Sequence, residues 1–179
     1  MSSSSKKSIE DLEKQLLLKN KDLNEKYLEI ETLLDLTNTI NSLDDLDSLF
    51  FNVLTLSSSI INSSRGVILI KNEISNIFDP VSIFNLEETK IKKQIFNTRS
   101  GFLKKLNKEK KTFIVNEEDK FNHNLFESRF SLISPIINNS SLVGAIVLLD
   151  KETRQGLEDF NDNDLKLIDS VSIQTSFAY

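Results

Sequence analysis

Val143-Gly144-Ala145-Ile146-Val147-Leu148-Leu149-Asp150-Lys151, preceded by Ser131 to Ile137 and by the polar string Asn138-Asn139-Ser140-Ser141, is the stretch whose reading decides the fold. Two apolar runs rich in β-branched residues, joined by four residues of turn composition, predict a pair of adjacent antiparallel strands, Ser131–Ile137 and Leu142–Lys151. Immediately downstream, Asn161 can cap a helix, with Asp164 at its third position to return the hydrogen bond and Phe160 able to staple onto Leu165. The apolar residues of that helix, Leu165, Leu167, Ile168, Val171, Ile173 and Phe177, spread around more than one stripe, so it is expected to touch both its own sheet and a second copy of the chain.

Upstream, Gly101-Phe102-Leu103 opens a short helical turn to Asn107, with Thr98 or Ser100 as its cap, and Thr112-Phe113-Ile114-Val115 reads as a strand. The segment from Phe121 to Phe130 fits neither period and reads as an aromatic loop with one helical turn. Val67-Ile68-Leu69-Ile70, apolar on both faces, predicts a central strand. Lys71-Asn72-Glu73 is its hairpin turn and Ile74–Phe84 the returning strand or strand pair, with a bend, bulge or edge at Pro80 because proline cannot donate to a ladder. Ile91 and Ile95, four apart, predict a short helix over Glu87–Asn97, and Leu46, Leu49, Phe50, Val53, Leu54 and Ile61 a longer one before the first strand. Ile9, Leu16, Leu23 and Ile30 recur every seven residues ahead of the Asn41-Ser42 interruption, with Lys19 and Lys26 breaking the companion positions, so residues 1–40 are expected to form a coiled-coil helix, or else a single amphipathic helix folded back on its own domain, and residues 41–179 the globular domain.

The totals exclude several function classes. A chain of 179 residues has room for one domain and an appendage. A net charge of −5 argues against a duplex-DNA binder, so no nucleic-acid partner is expected. Lys104-Lys105 and the Lys108–Lys111 run could attract a phosphate or an acidic partner, but as a local exception they read first as a solvated face. No apolar run approaches the ~18 residues of a membrane span, so no membrane partner is expected. The opening Met1-Ser2-Ser3-Ser4-Ser5-Lys6-Lys7 lacks the apolar stretch of a secretory signal, which makes the cytoplasm the expected compartment.

No nucleophile, base and orienting acid can be assembled from one histidine and no cysteine, and with only four glycines neither a Walker loop nor a dinucleotide-binding turn is possible. The chain is therefore not expected to be an enzyme. Absence of cysteine also removes thiolate-ligated zinc and iron–sulfur sites. Glu117, Glu118 and Asp119 lack the alternating spacing and turn glycine of a calcium loop and read as a solvated turn.

Gly101-Phe102-Leu103, Thr112–Val115, the aromatic loop and the closing Val143–Lys151 strand with Phe160 and Asp164 together resemble a GAF domain, the sensor module of cyclic-nucleotide phosphodiesterases, phytochromes and bacterial signalling proteins. The resemblance is strongest from Gly101 to Phe177 and continues back to about Asn41. It implies an α+β fold: a central antiparallel sheet with the N- and C-terminal helices on one face and a lidded ligand pocket on the other. Asp150-Lys151, Phe160 and Asp164 match an Asn-Lys…Phe-x-x-x-Asp-Glu signature, with Asp150 in place of the asparagine and Leu165 in place of the glutamate, and imply a Lys151–Asp164 salt bridge.

By the same resemblance, Phe78 and Asp79 match a base-stacking and base-bonding pair, Phe102 and Leu103 the start of the pocket helix, and Phe121 to Phe126 the closing loop; Phe113 joins the set as a further aromatic. The implied ligand is a cyclic nucleotide, cAMP or cGMP, and Val147 at the family's acidic base contact favours neither. Covalent bilin attachment and the thiol chemistry of methionine-sulfoxide-reducing relatives are excluded by the missing cysteine. The expected working form is a homodimer through the N- and C-terminal helices, signalling to a C-terminal effector domain. Two alternatives stand beside it: a ligand-free dimerisation scaffold whose pocket is filled by phenylalanine, and a haem or redox sensor using His123.

Overall fold

A computed structural model describes residues 11–24, 26, 27, 31, 45–99, 101–116 and 126–178. Contacts divide the chain into two units, Met1–Asp35 and Leu36–Tyr179, and the boundary expected at residue 40 lies outside the described residues. In the first unit, residues 11–24 are helical (α1), and its described apolar side chains, Leu12, Leu16, Leu17, Leu18 and Leu23, are all exposed.

The second unit runs α2 (Leu46–Ile61), β1 (Ser63–Lys71), β2 (Phe78–Phe84), α3 (Glu88–Lys92), α4 (Gly101–Glu109), β3 (Phe113–Val115), β4 (Ser131–Asn138), β5 (Ser141–Thr153), β6 (Gly156–Glu158) and α5 (Asp162–Ala178). Its six strands form one antiparallel sheet in the order β2-β1-β5-β4-β3, with β6 paired to β5. The run read as central is central: Val67 pairs with Ile83 on one side and Val147 on the other, and Val67, Ile68 and Leu69 are fully buried.

Local chemistry explains most boundaries. Asn139 and Ser140 both take positive φ, 47° and 62°, which makes the β4–β5 connection a two-residue hairpin of the kind that matches strand twist. Pro80 lies on the outer strand β2, where the register with β1 shifts between Ile68 and Leu69, so the predicted edge and bulge coincide. Pro135 falls in β4 beyond Ile133, the last residue paired with β3, where no ladder on that side needs its missing N–H. The β1–β2 turn is longer than Lys71–Glu73: the Asn72 N–H reaches the Ile77 carbonyl at 2.7 Å, the Asn72 side chain accepts from Ile74 and Ser75, and the strand resumes only at Phe78. The helix read over Glu87–Asn97 stops at Lys92, with Ile91 buried and Ile95 73% exposed, because one turn of apolar spacing cannot sustain a helix through Gln94.

α2 and α5 pack on one face of the sheet. Asp45 caps α2 through the N–H groups of Asp47 and Ser48. The predicted capping box of α5 forms, with Asn161 Oδ1 accepting from the Asp164 N–H at 3.2 Å and Asp164 Oδ2 accepting from the Asn161 N–H at 2.9 Å. Asp164 Oδ2 also receives the Lys151 ammonium at 2.7 Å, both side chains being 11% exposed, so the implied salt bridge braces the sheet against the helix start. Gly144 is needed for the sheet itself: a Cβ there would lie 2.8 Å from the Leu69 carbonyl oxygen and 2.7 Å from Ile70 Cδ1. The other face carries a second core, in which α3 and α4 lay Ile91, Phe102, Leu103 and Leu106 over Val67, Leu69, Ile133, Val147 and Leu149.

Candidate functional site

On the α3 side of this second core a cavity of about 320 Å³ opens between α3, the end of β2 and the turn that leads into β4. Its walls carry Arg65 from β1, Asn85 and Leu86 after β2, Glu87, Lys90, Ile91 and Gln94 around α3, and Phe126 and Glu127 from the turn. The apolar part is Leu86, Ile91 and the Phe126 ring, which lies 5.9 Å from Phe96 in a tilted contact. Around it stand a guanidinium, an ammonium, two carboxylates and two amides, enough donors and acceptors to orient a small polar molecule.

Arg65 is the best-fixed of these groups. Its guanidinium pairs with Asp150 and donates to the carbonyls of Phe126 at 3.0 Å and Glu127 at 3.2 Å. Asp150, itself buried with φ of 52°, accepts the N–H groups of Arg129 at 2.8 Å and Phe130 at 3.2 Å, and its own N–H donates to the Phe130 carbonyl. The side chains of this one ion pair therefore hold four backbone groups between Phe126 and Phe130, the segment in which the aromatic loop ends, and the Asp150 N–H holds a fifth. Phe126 and Glu127 both take positive φ, 54° and 55°, and those two carbonyls are the ones the guanidinium gathers.

At the other wall Lys90 sits 2.8 Å from Glu87 Oε2, while the Thr89 hydroxyl donates to Glu87 Oε1 at 3.0 Å. Hydrogen bonding to Lys90 and then to Thr89 holds the Glu87 carboxyl below its usual range, and Glu87, followed by the charge of Glu127, raises Lys90. Asn85, at φ of 51°, donates to the Ser64 carbonyl and ties the end of β2 back to β1.

Of the residues expected from sequence to form the site, Phe126 lines this cavity. Phe78 is 1% exposed and lies in the second core, where its N–H donates to the Phe96 carbonyl at 2.8 Å and ties that segment to β2. Asp79, the next residue along the strand, is exposed and accepts from the Asn72 side-chain amide at 3.1 Å. Phe102 and Leu103 open α4 after Gly101, whose φ of 62° suits glycine, but both side chains are buried. Phe113 is buried with Lys105 Nζ 4.2 Å above its ring. Phe121, His123 and the Glu117–Asp119 run lie outside the described residues. Arg65, Asn85, Glu87, Lys90 and Glu127 were not read from the sequence as site residues; the isolated Arg65-Gly66 at the start of a buried strand was the one available signal. Among the described residues no cluster of histidine, aspartate or glutamate is placed to hold a metal ion, and no helix is long and apolar enough to cross a membrane.

The same fold recurs in solved structures of low sequence identity. The GAF domain of an Acinetobacter phosphoenolpyruvate-protein phosphotransferase superposes with a TM-score of 0.69 at 16% identity, over 84% of this chain and 92% of that one. Residues 122 to 287 of a methyl-accepting chemotaxis protein give a TM-score of 0.66 at 15% identity, over 80% of this chain and 93% of that one. A free methionine-R-sulfoxide reductase from Neisseria meningitidis, solved with its substrate, gives 0.69 at 12%, over 85% and 88%. No curated protein matches the sequence. The GAF domain model matches residues 45–179, the whole sheet with α2 and α5, and the chain belongs to the GAF domain family.

Proposed function

We propose that this GAF domain is a regulatory sensor that takes a small molecule in the cavity beside Arg65, with a cyclic nucleotide, cAMP or cGMP, as the ligand. The observation that carries the reading is the double engagement of Arg65, which faces the cavity and also anchors the end of the aromatic loop. A volume of about 320 Å³ reaches the lower end of ligand sites, ~300 Å³. The single negative charge of a cyclic phosphate suits Arg65 and Lys90, and a purine suits the Phe126 ring with the Asn85 and Gln94 amides at its edge. A guest paired with Arg65 alters the grip of that side chain on Phe126 and Glu127, so occupancy is felt where the loop joins the sheet.

The signal then passes through a homodimer to an output domain beyond α5. Support for pairing comes from apolar residues left at the surface of helices: Ile173 and Phe177 on α5, 57% and 84% exposed, Phe51 on α2, and the leucines of α1.

Calorimetric titration with cAMP and cGMP tests the ligand. Binding that weakens about tenfold in Lys90→Gln and more in Arg65→Met supports the site; no heat with either nucleotide, from folded protein, removes the cyclic nucleotide. A second reading, a dimerisation module with no ligand, is favoured by the packing of Phe78, Phe96, Phe102, Phe113 and Phe126, all at or below 9% exposure, in one cluster. It expects a dimer by sedimentation and no small molecule released on denaturation.

A further inference from the structure

The two layers that sandwich the sheet carry opposite charge. From Glu87 to Lys111, the stretch holding α3 and α4, there are nine cations and three carboxylates, net +6, in a chain whose total is −5. On the other face, residues 45–62 with α2 and 159–178 with α5 hold six carboxylates and one cation, net −5. The buried sides of α3 and α4 share one core, so their outer sides form one surface. Lys90, Lys92, Lys93, Arg99, Lys104, Lys108, Lys110 and Lys111 are all exposed, Lys110 donating to the Ser140 carbonyl in the β4–β5 turn. Glu87 and Glu88 pair with Lys90 and Lys92, and Glu127 approaches Lys90 from the neighbouring turn, which leaves the surface strongly positive.

We infer that the α3–α4 face docks on an anionic lipid surface. Three features select a lipid plane over other polyanions. Eight of the nine cations are lysine, a compact point charge suited to many diffuse headgroup contacts, whereas the bidentate phosphate and base contacts of nucleic-acid readers rest on arginine. The described aromatic rings of the stretch, Phe96 and Phe102, are buried, so no platform for base stacking is exposed and no aromatic anchor of a protein interface is offered. Lysine is depleted at protein interfaces, and the exposed apolar side chain among these cations is Ile95, suited to shallow insertion between headgroups. The charge separation supplies orientation: a sheet and a helix on each side keep the acidic layer more than a Debye length, ~8 Å at physiological ionic strength, from a plane that the basic layer touches. Such docking needs no membrane-spanning helix.

The test is sedimentation of the full chain with phosphatidylcholine vesicles containing about a third phosphatidylserine, against pure phosphatidylcholine, with a salt series. Two variants change net charge equally on opposite layers: Lys104→Gln with Lys108→Gln on α4, and Lys166→Glu on α5. Expected are salt-sensitive binding to the anionic vesicles only, a loss of about 30-fold in the α4 double variant, at ~1 kcal/mol per charge, and a change within about twofold in Lys166→Glu. No binding at low salt, an equal loss in both variants, or tighter binding to polyglutamate or an oligonucleotide than to the vesicles would each overturn the inference. Circular dichroism of each variant establishes that it is folded, and because these lysines are exposed no core contact is removed.

Discussion

The two faces of the sheet are built by different means. Against α2 and α5 the polar groups are ordered into chains: Thr112 donates to Asp169, Ser134 lies 2.8 Å from Thr112 and Ser172 donates to Ser134 at 2.7 Å. Because the single Thr112 proton goes to Asp169, Ser134 must donate to Thr112, so the chain runs one way, from Ser172 to a carboxylate. Against α3 and α4 the filling is phenylalanine and aliphatic, and among the described residues polar order returns at the Arg65–Asp150 pair beside the cavity and at the Ser128–Ser131 hydroxyl contact of 2.9 Å. α5 is thus bonded to the sheet through directional contacts, while the cover on the cavity side rests mostly on non-directional packing, with the Arg65–Asp150 pair and the Phe78–Phe96 backbone bridge added to it. Directional networks have few alternative arrangements; an apolar cover with a cavity at its edge has more room to repack.

The strongest way to break this comparison is Phe78→Ala. If packing holds the cover, removing a ring that is 1% exposed costs about 3–5 kcal/mol, read as a lowered urea midpoint at unchanged slope. The resemblance instead makes Phe78 a base-stacking residue whose loss would spare the fold. A variant with native stability would show that the second core has slack at this ring and would reopen the resemblance-derived site.

This residue also shows how far the sequence could be read. The α5 capping box and the β4–β5 hairpin were legible because each is set by residues close in the chain or by one long apolar run, and the Lys151–Asp164 pair came from the GAF resemblance. The site was less so. Arg65 meets Asp150 across 85 residues and Phe126 across 61, and single polar letters at such separations leave no period to detect. Phe78 entered the expected site through the GAF resemblance, which matches residue types but not what packs around them; in the structure it lies in the second core with Phe96, to which a backbone bridge outside any regular strand ties it. β6, three residues long, gave no signal of its own.

A medium-sized effect sharpens the other half of the comparison. Ser134→Ala removes the middle of the hydroxyl chain and leaves Thr112 and Ser172 each short of a partner, for a loss of about 1–3 kcal/mol in chemical denaturation. Ser82, which is in register with Ile68, is also buried, but its hydroxyl has no partner among the described residues. Ser82→Ala should therefore be neutral or stabilising by up to about 1 kcal/mol, since the desolvation of an unbonded hydroxyl disappears. Equal costs at the two positions would mean that the serine chain contributes no more than its volume.

The smallest effect concerns the charges at the cavity mouth. The Glu87 carboxyl, held down by Lys90 and Thr89 from an ordinary value of 4.5, contributes stability that is whole above 4.5 and is lost as pH falls through its lower folded value. Lys90, raised by Glu87 from 10.5, contributes below 10.5 and loses that contribution as pH climbs through its higher folded value. Between those limits the pair is pH-independent, and since both groups are fully exposed it is screened by salt. The melting-temperature difference between the protein and Glu87→Gln should accordingly be small and flat from about pH 5 to about pH 10, shrink towards zero in acid, and fall with added salt. A difference that is large, or that persists in acid, would mean that Glu87 holds α3 through its side chain rather than its charge. The cover would then owe its position to a further directional contact beside the Phe78–Phe96 bridge, and the contrast between the two faces would narrow at the place where the cavity opens.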